Sequence, residues 1–155
     1  RWGVYLGYSA EPPGALETGG ALYNAKPLIG NAPFITVNAD IFTDFDFKAL
    51  PPTPKALMHL VLVPKNAALK HHGDFGLDEQ QYLTNENKNY TFSGVACYTP
   101  DIFEALKPGR YSVAPLMRHY ASINKATGQI YSGTWFDIGS MERLHAANQA
   151  LESPC

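Results

Sequence analysis

Cysteine is scarce in this sequence, which removes a whole class of folds from consideration. The 155 residues contain two cysteines, Cys97 inside an apolar stretch and Cys155 at the last position. Such a pair does not form a disulfide framework, and the sequence therefore predicts a reduced, cytoplasmic location.

Long hydrophobic runs are also missing. No apolar run reaches the roughly 18 residues of a membrane span, and the first residues lack the basic and hydrophobic regions of a signal peptide. We therefore predict that the chain has no membrane partner. The sequence opens directly on strand-like residues without an initiator methionine, so we expect that a further segment precedes it.

An excess of charge of one sign is absent as well. Lys and Arg number 12 and Asp and Glu 14, spread along the chain, for a formal charge of -2. A polyanion needs a clustered basic surface, and no stripe of Lys or Arg offers one. A nucleic-acid polymer is therefore not a predicted partner.

The usual signatures of covalent catalysis are missing too. The sequence has no Gly-x-Ser-x-Gly elbow, no Ser/His/Asp arrangement and no carboxylate pair at hydrolase-like positions. His71 and His72 have no matching His or Cys spacing elsewhere, so a solvated loop explains them better than a zinc site.

What the sequence does have is the pattern of one α/β domain. It is 45% hydrophobic, and apolar runs of strand length alternate with segments of helical spacing, without repeats or linkers. Thr18 and Ser140 are the expected helix caps. Strands are predicted at 4–10, 33–40, 56–64, 90–98, 129–132 and 134–138, helices at 18–25, 46–50, 100–106, 113–123 and 141–151, and turns or a small hairpin at 71–89.

Two acidic residues stand out by position. Asp40 ends the apolar run at 33–39, and Asp137 lies just before a helix cap. A carboxylate held at the tip of a strand is a good ligand for a hard cation, because the sheet fixes its oxygen while water and phosphate complete the shell. The alternative is that each is a solvated turn or capping aspartate.

A third signal is Leu-Glu-Thr-Gly-Gly at 16–20, where paired glycines would let a flat ligand or a phosphate approach a helix start. Glycine pairs are also common in ordinary turns.

Five ordered segments together resemble the nucleotidyltransferases that activate sugar 1-phosphates, and among these the bacterial N-acetylmuramate-1-phosphate uridylyltransferase group. They are Leu-Glu-Thr-Gly-Gly at 16–20, Phe-Ile-Thr-Val-Asn-Ala-Asp at 34–40, Gly-Asp-Phe at 73–75, Thr-Phe-Ser-Gly-Val at 91–95 and Trp-Phe-Asp-Ile-Gly-Ser at 135–140. The resemblance implies a Rossmann-like three-layer α/β/α fold with a mixed, mostly parallel sheet, truncated at its N-terminus. Residues 1–155 would be the C-terminal, metal- and sugar-binding portion of one domain.

The resemblance also implies site residues. By their place in the family's motifs, Asp40 and Asp137 would hold Mg²⁺ against the nucleotide phosphates and act as the catalytic residues. The other implied contacts are Glu17, Thr18, Gly19 and Asn38 for the nucleotide, and Gly73, Asp74, Ser93 and Gly94 for the sugar.

The sequence departs from the family in two places. The family's Asn-Gly-Asp is Asn38-Ala39-Asp40 here, so an added methyl group could crowd the nucleotide. The family's Gly-x-Gly-x-Arg-Met-x-Pro loop, which together with a Lys-Pro segment directly after it cradles the triphosphate, does not occur in these residues. We therefore expect the chain alone to be inactive, and insoluble or associating through an apolar edge left bare beside residues 34–38. A separate polypeptide carrying the amino-terminal part is one expected partner, and the protein is otherwise a monomer or homodimer.

The activity implied is transfer of a nucleotidyl group from UTP to N-acetylmuramate 1-phosphate in peptidoglycan recycling. Two alternatives stay open: a guanylyl- or thymidylyltransferase acting on a hexose 1-phosphate, and a non-catalytic sugar-nucleotide-binding regulatory protein.

Overall fold

The computed structural model describes residues 3–65 and 73–152. Its elements in chain order are α1 (Glu17–Ile29), β1 (Phe34–Val37), β2 (Ile41–Thr43), β3 (Met58–Pro64), β4 (Gly76–Leu77), β5 (Leu83–Thr84), β6 (Tyr90–Tyr98), α2 (Ala114–Ser122), β7 (Ala126–Ile130), β8 (Trp135–Asp137) and α3 (Met141–Glu152), with 3-10 turns at Phe47–Ala49 and Pro100–Glu104.

A four-stranded sheet in the order β1-β6-β3-β7 forms the centre of the fold. Strand β6 is antiparallel to both β1 and β3, whereas β3 and β7 run parallel. The predicted α/β fold with a mixed sheet is confirmed, although among the described residues the central sheet contains one parallel pairing against two antiparallel ones, a smaller parallel share than expected.

The two faces of the sheet bury different clusters because side chains alternate along each strand. On the helical side, Met58, Leu60 and Leu62 of β3 pack with Leu22 of α1 and Met117 of α2. The opposite side is covered by the segment after β2. There a second cluster contains Phe45, Leu50, Val61, Val95 and Cys97. The sheet is thus fixed from both sides, which makes it a rigid support for the residues at its ends.

A separate two-stranded ribbon joins β2 to β8, with Ile41 opposite Asp137 and Thr43 opposite Trp135. Its far end is tied by Asp44, whose carboxylate accepts hydrogen bonds from the backbone N–H of Thr134 and from the Tyr131 hydroxyl. Helix α3 follows the ribbon directly. The ribbon therefore links the chain after β1 to a segment nearly 100 residues later in the sequence.

Most predicted elements are confirmed: the strand at 90–98 has the observed bounds, the one at 56–64 begins two residues later, and the described part of the hairpin region forms β4 and β5. Ser140 caps α3 as predicted, since its Oγ accepts from the Arg143 N–H at 3.3 Å.

Two predictions were wrong. Residues 4–10 form no strand: Val4, Leu6 and Tyr8 are exposed, and none of the described strands pairs with this segment. Thr18 does not cap α1: the helix begins at Glu17 after Leu16, and the Thr18 hydroxyl accepts a hydrogen bond from the Val113 N–H.

Strand β1 lies at one edge of the central sheet and, within the described residues, pairs with β6 alone. Ile35 and Val37 on this strand are 46% and 49% exposed. Association through this edge stays a prediction. None of the helices among residues 3–65 and 73–152 has the length and hydrophobicity needed to cross a bilayer.

Candidate active site

The β2–β8 ribbon brings the two predicted carboxylates together. Asp40 immediately precedes β2, Asp137 is the last residue of β8, and the Ile138 N–H donates to the Asp40 carbonyl at 2.8 Å. This backbone bond ties the two turns to each other. Residues 97 positions apart in the sequence therefore share one end of the ribbon.

Gly139 lies closely against both carboxylates. A β-carbon placed on Gly139 would lie 2.8 Å from Asp40 Oδ2 and 3.2 Å from Asp137 Oδ1. Both oxygens therefore lie within 3.2 Å of one point beside Gly139, and the lack of a side chain at residue 139 permits this approach. We call Asp40, Asp137 and Gly139 the carboxylate cradle.

The cradle fits a small hard cation. Mg²⁺ takes oxygen ligands, is bound through one or two carboxylates and fills its remaining positions with water and substrate phosphates. Within the described ranges no cluster of three or more His, Cys, Asp or Glu side chains could hold a metal ion, so binding here would depend on the two aspartates and on ligands from solvent and substrate.

Asp137 is also paired with a residue that sequence reasoning missed. Arg143, in the first turn of α3, donates from Nη1 to Asp137 Oδ2 at 2.5 Å, while the Gly139 N–H donates to Asp137 Oδ1 at 3.0 Å. The sequence contained one indication of this contact. Arg143 lies three residues after the Ser140 cap, a position where Glu or Gln would complete a capping box.

A bulge in β6 carries two of the predicted sugar contacts. The β3–β6 register passes from Leu60 opposite Ala96 to Leu62 opposite Phe92, which leaves residues 93–95 outside the regular ladder. Gly94, at φ +85°, accepts from the Asn38 N–H at 2.9 Å, and a β-carbon there would lie 3.0 Å from the Asn38 side chain. The bulge therefore sets Gly94 directly against a predicted nucleotide contact.

Ser93 is buried within the same bulge. Its Oγ accepts from the Val95 N–H at 3.2 Å, and its carbonyl accepts from the Trp135 indole N–H at 2.8 Å. Trp135 thus fastens the ribbon to the sheet. Ser93 is only 1% exposed, so its hydroxyl has little access to solvent.

At the start of α1 the paired glycines have a packing role. The Gly19 and Gly20 N–H groups both donate to the Tyr111 carbonyl, at 2.9 and 3.4 Å. A β-carbon would lie 2.4 Å from the Tyr111 ring at Gly19 and 1.9 Å from the Gly109 carbonyl at Gly20. In this conformation it is the loop at 109–111 that approaches the helix start, where the sequence predicted a ligand.

The other predicted contacts on α1 also have protein partners. The Glu17 carboxylate accepts from Arg110 Nε at 3.1 Å, and both side chains are largely exposed. Thr18 receives the Val113 N–H at 2.9 Å. Both partners lie in the segment before or at the start of α2, so α1 and this segment are held together by polar contacts.

Gly73 and Asp74 lie beside β6. Asp74 Oδ2 accepts from the Phe92 N–H at 2.9 Å. Gly73 has φ +76°, and a β-carbon there would lie 2.1 Å from the Lys88 carbonyl. Asp74 therefore supports the strand just before the bulge, whereas Gly73 is fixed by its close approach to the segment before β6.

A cavity of about 470 Å³ lies between α1, β1, β6 and α2. This size is within the range of about 300–1,000 Å³ typical of small-molecule sites. Its lining is mostly apolar, and Thr18 and Asn38 are among its polar residues; Thr36, Phe92, Tyr98 and Ser112 also line it. Burial raises the pKa of the Tyr98 hydroxyl, and a hydrogen bond with Thr36 opposes this in part. The cavity brings Thr18 and Asn38 to one space, which does not include the carboxylate cradle.

No family model matches the chain. The chain is similar to a curated protein, N-acetylmuramate alpha-1-phosphate uridylyltransferase from Neisseria meningitidis serogroup B. The two are 39% identical over 159 residues, and the match covers 97% of this chain and 68% of that protein.

Solved structures share the fold at lower identity. A Bacillus anthracis protein named as a glucose-1-phosphate thymidylyltransferase superimposes with a TM-score of 0.70 at 18% identity, covering 93% of this chain and 64% of its own. HddC from Yersinia pseudotuberculosis, complexed with GMP-PN, gives a TM-score of 0.68 at 19% identity. The match covers 91% of this chain and 65% of the HddC chain. This chain spans less than two thirds of the length of both. Together with the Neisseria relative, these matches lead to one conclusion: the chain belongs to the sugar-1-phosphate nucleotidyltransferase family.

Proposed function

We propose that this chain is part of an enzyme that transfers a uridylyl group from UTP to N-acetylmuramate 1-phosphate, in the cytoplasm and in peptidoglycan recycling. The observation that carries the proposal is the carboxylate cradle, because two aspartates from distant parts of the chain place carboxylate oxygens beside the same glycine. The 39% identity to a protein named for this reaction supports the choice of base and sugar.

In the proposed reaction a phosphate oxygen of the sugar 1-phosphate attacks the α-phosphorus of UTP. The bond from that phosphorus to the oxygen bridging toward the β-phosphate breaks, and pyrophosphate leaves with the bond's electron pair. The attacking phosphate is already anionic, so no general base is required, and the protein's contribution is positioning and charge neutralisation.

Asp40 and Asp137 are the residues that would hold Mg²⁺. When bound there, the cation would neutralise developing charge on the phosphates. Asp137 is held by the Gly139 N–H and by Arg143, and Asp40 is fixed through its carbonyl by Ile138. The Asp137 carboxylate thus has little freedom to reorganise, and the backbone that carries Asp40 is fixed beside it.

For the nucleotide we propose Glu17, Thr18, Gly19 and Asn38, of which Thr18 and Asn38 share the cavity. For the sugar we propose Gly73, Asp74, Ser93 and Gly94. The buried Ser93 and the packed Gly19 would act through backbone position, since their side-chain and N–H groups already have partners within the chain.

The test is a set of parallel assays of pyrophosphate release by the product of the complete coding sequence. Each of UTP, GTP, dTTP and ATP is combined with N-acetylmuramate 1-phosphate, glucose 1-phosphate or mannose 1-phosphate in the presence of Mg²⁺. We expect product with UTP and N-acetylmuramate 1-phosphate. A preference for GTP or dTTP with a hexose phosphate would contradict the substrate assignment, and nucleotide-sugar binding without turnover would favour a regulatory protein.

Two controls sharpen the assay. Asp40→Asn in the protein made from the complete coding sequence should lower turnover by about 100-fold or more, and unchanged activity with Mg²⁺ would contradict the cation role. We also propose that turnover needs the family's glycine-rich phosphate loop, which these 155 residues do not contain. Comparing this chain with the product of the complete coding sequence tests that requirement.

A further inference from the structure

Arg143 stands where a helix normally favours an acidic residue. It is the third residue of α3, which begins at Met141, and the first turn of a helix is positively polarised. A cation in that turn is disfavoured by its own helix unless an outside anion compensates. Asp137 is that anion, with its Oδ2 atom 2.5 Å from Arg143 Nη1.

The two oxygens of Asp137 have separate partners. Oδ2 accepts from Arg143, whereas Oδ1 accepts from the Gly139 N–H at 3.0 Å and faces the same point as Asp40 Oδ2. A carboxylate held at both oxygens cannot rotate freely about its side-chain bonds. The oxygen directed toward Asp40 is therefore kept in place by a contact on the opposite oxygen.

We propose that Arg143 is a positioning residue that orients the Asp137 carboxylate for a divalent cation in the carboxylate cradle. The inference rests on the proposed function, in which Asp40 and Asp137 hold that cation. Residues that hydrogen-bond to metal-binding side chains commonly influence metal binding. Their loss typically lowers metal affinity or activity by about 10- to 100-fold.

The electrostatic effect of Arg143 has the opposite sign, which makes the proposal testable. Its positive charge beside the two aspartates repels a divalent cation, so its removal would strengthen cation binding if charge alone mattered. Both side chains are partly exposed, at 54% for Arg143 and 30% for Asp137, so solvent screens that repulsion. Orientation and repulsion thus predict changes of cation affinity in opposite directions.

The experiment measures Mn²⁺ binding by titration calorimetry, with Mg²⁺ competition, for the product of the complete coding sequence and for its Arg143→Met variant. We expect Arg143→Met to bind Mn²⁺ at least about tenfold more weakly. Arg143→Lys, which keeps a donor and the charge, should recover part of the affinity. Arg118→Met removes an exposed arginine from α2, away from the cradle, and should leave the affinity within about twofold of the unsubstituted protein.

The outcomes separate the two levels of the proposal. Equal or tighter Mn²⁺ binding by Arg143→Met, in a variant whose circular dichroism is unchanged, would overturn the role of Arg143 alone. Should Arg143→Met fail to fold, the comparison passes to Arg143→Ala, where affinity equal to or above that of the unsubstituted protein would overturn the role. No Mn²⁺ binding by the unsubstituted protein, or binding that Asp40→Asn leaves unchanged, would overturn the proposed cation site and this inference with it.

Discussion

Filling the carboxylate cradle with one methyl group is the most direct perturbation that the structure offers. Gly139→Ala would put a carbon 2.8 Å from Asp40 Oδ2 and 3.2 Å from Asp137 Oδ1. Ordinary carbon–oxygen contacts lie at about 3.3 Å or more, so the Asp40 oxygen must move by roughly 0.5 Å. Mg²⁺ holds its ligands at about 2.0–2.1 Å with little tolerance, and such a displacement should cost at least about tenfold in cation affinity.

The same substitution should barely affect folding. The atoms that must yield are the ends of two partly exposed side chains, and the backbone of Gly139 is not in the left-handed region. We expect a change of less than about 1 kcal/mol in the free energy of unfolding, as for a surface site without a special backbone requirement.

The assay pairs Mn²⁺ titration with urea unfolding for Gly139→Ala and for a control, Gly7→Ala. At Gly7 the nearest atom to an added β-carbon is Leu28 Cδ1 at 3.9 Å, so this control adds the same methyl group at an ordinary van der Waals distance. Gly139→Ala should lose cation affinity while both variants unfold like the unsubstituted chain. Unchanged Mn²⁺ affinity in Gly139→Ala would refute the reasoning that the cradle is the cation site.

Two further predictions concern buried titratable groups. Burial lowers the pKa of His59 below its ordinary 6.5, and the hydrogen bond to Gln129 opposes this in part. The unfolded chain therefore binds the proton more readily than the folded chain. The contribution of neutral His59 to the free energy of unfolding should be fully present above about pH 6.5 and be lost as the pH falls from there through the folded-state pKa. Urea melts of His59→Gln across this range should lack that part of the pH dependence, and an identical pH profile would contradict the assignment. Burial also raises the pKa of the Cys97 thiol, so in a Cys155→Ser background a disulfide reagent should react about 100-fold more slowly with the folded chain than in urea; equal rates would contradict the burial of Cys97.

The sequence predicted what depends on local pattern. Strand β6 was found with its observed bounds because residues 90–98 combine aromatic, β-branched and small apolar residues between turn signals. The prediction for residues 4–10 failed because a strand needs a partner, and strand-like residues alone give no information about one. Thr18 failed for a similar reason, since its hydroxyl serves a backbone N–H 95 positions away.

The candidate site divides in the same way. Asp40 and Asp137 were predicted from motifs at strand ends, but only the β2–β8 register brings them to one point. Arg143 was missed because its contact depends on the turn at 138–140, which redirects the chain from the ribbon into α3. Likewise, the glycine pair at the start of α1 predicts that some group approaches the helix backbone closely. The sequence does not distinguish whether that group is a ligand or another loop of the chain.

Gly94 provides a contrast with Gly139 that separates a structural glycine from a functional one. Gly94 has φ +85°, and a β-carbon there would lie 3.0 Å from the Asn38 side chain, so Gly94→Ala combines backbone strain with a tight contact inside the β6 bulge. A non-glycine residue in a sparsely populated backbone region costs roughly 1–3 kcal/mol, and urea unfolding of Gly94→Ala should reveal a loss of that order. Cation affinity in the folded fraction should change little, since the atoms nearest to the added β-carbon belong to Asn38 and not to a residue of the carboxylate cradle. A variant as stable as the unsubstituted chain would mean that the bulge can relax, and Asn38 would then not be held by Gly94 as the structure indicates.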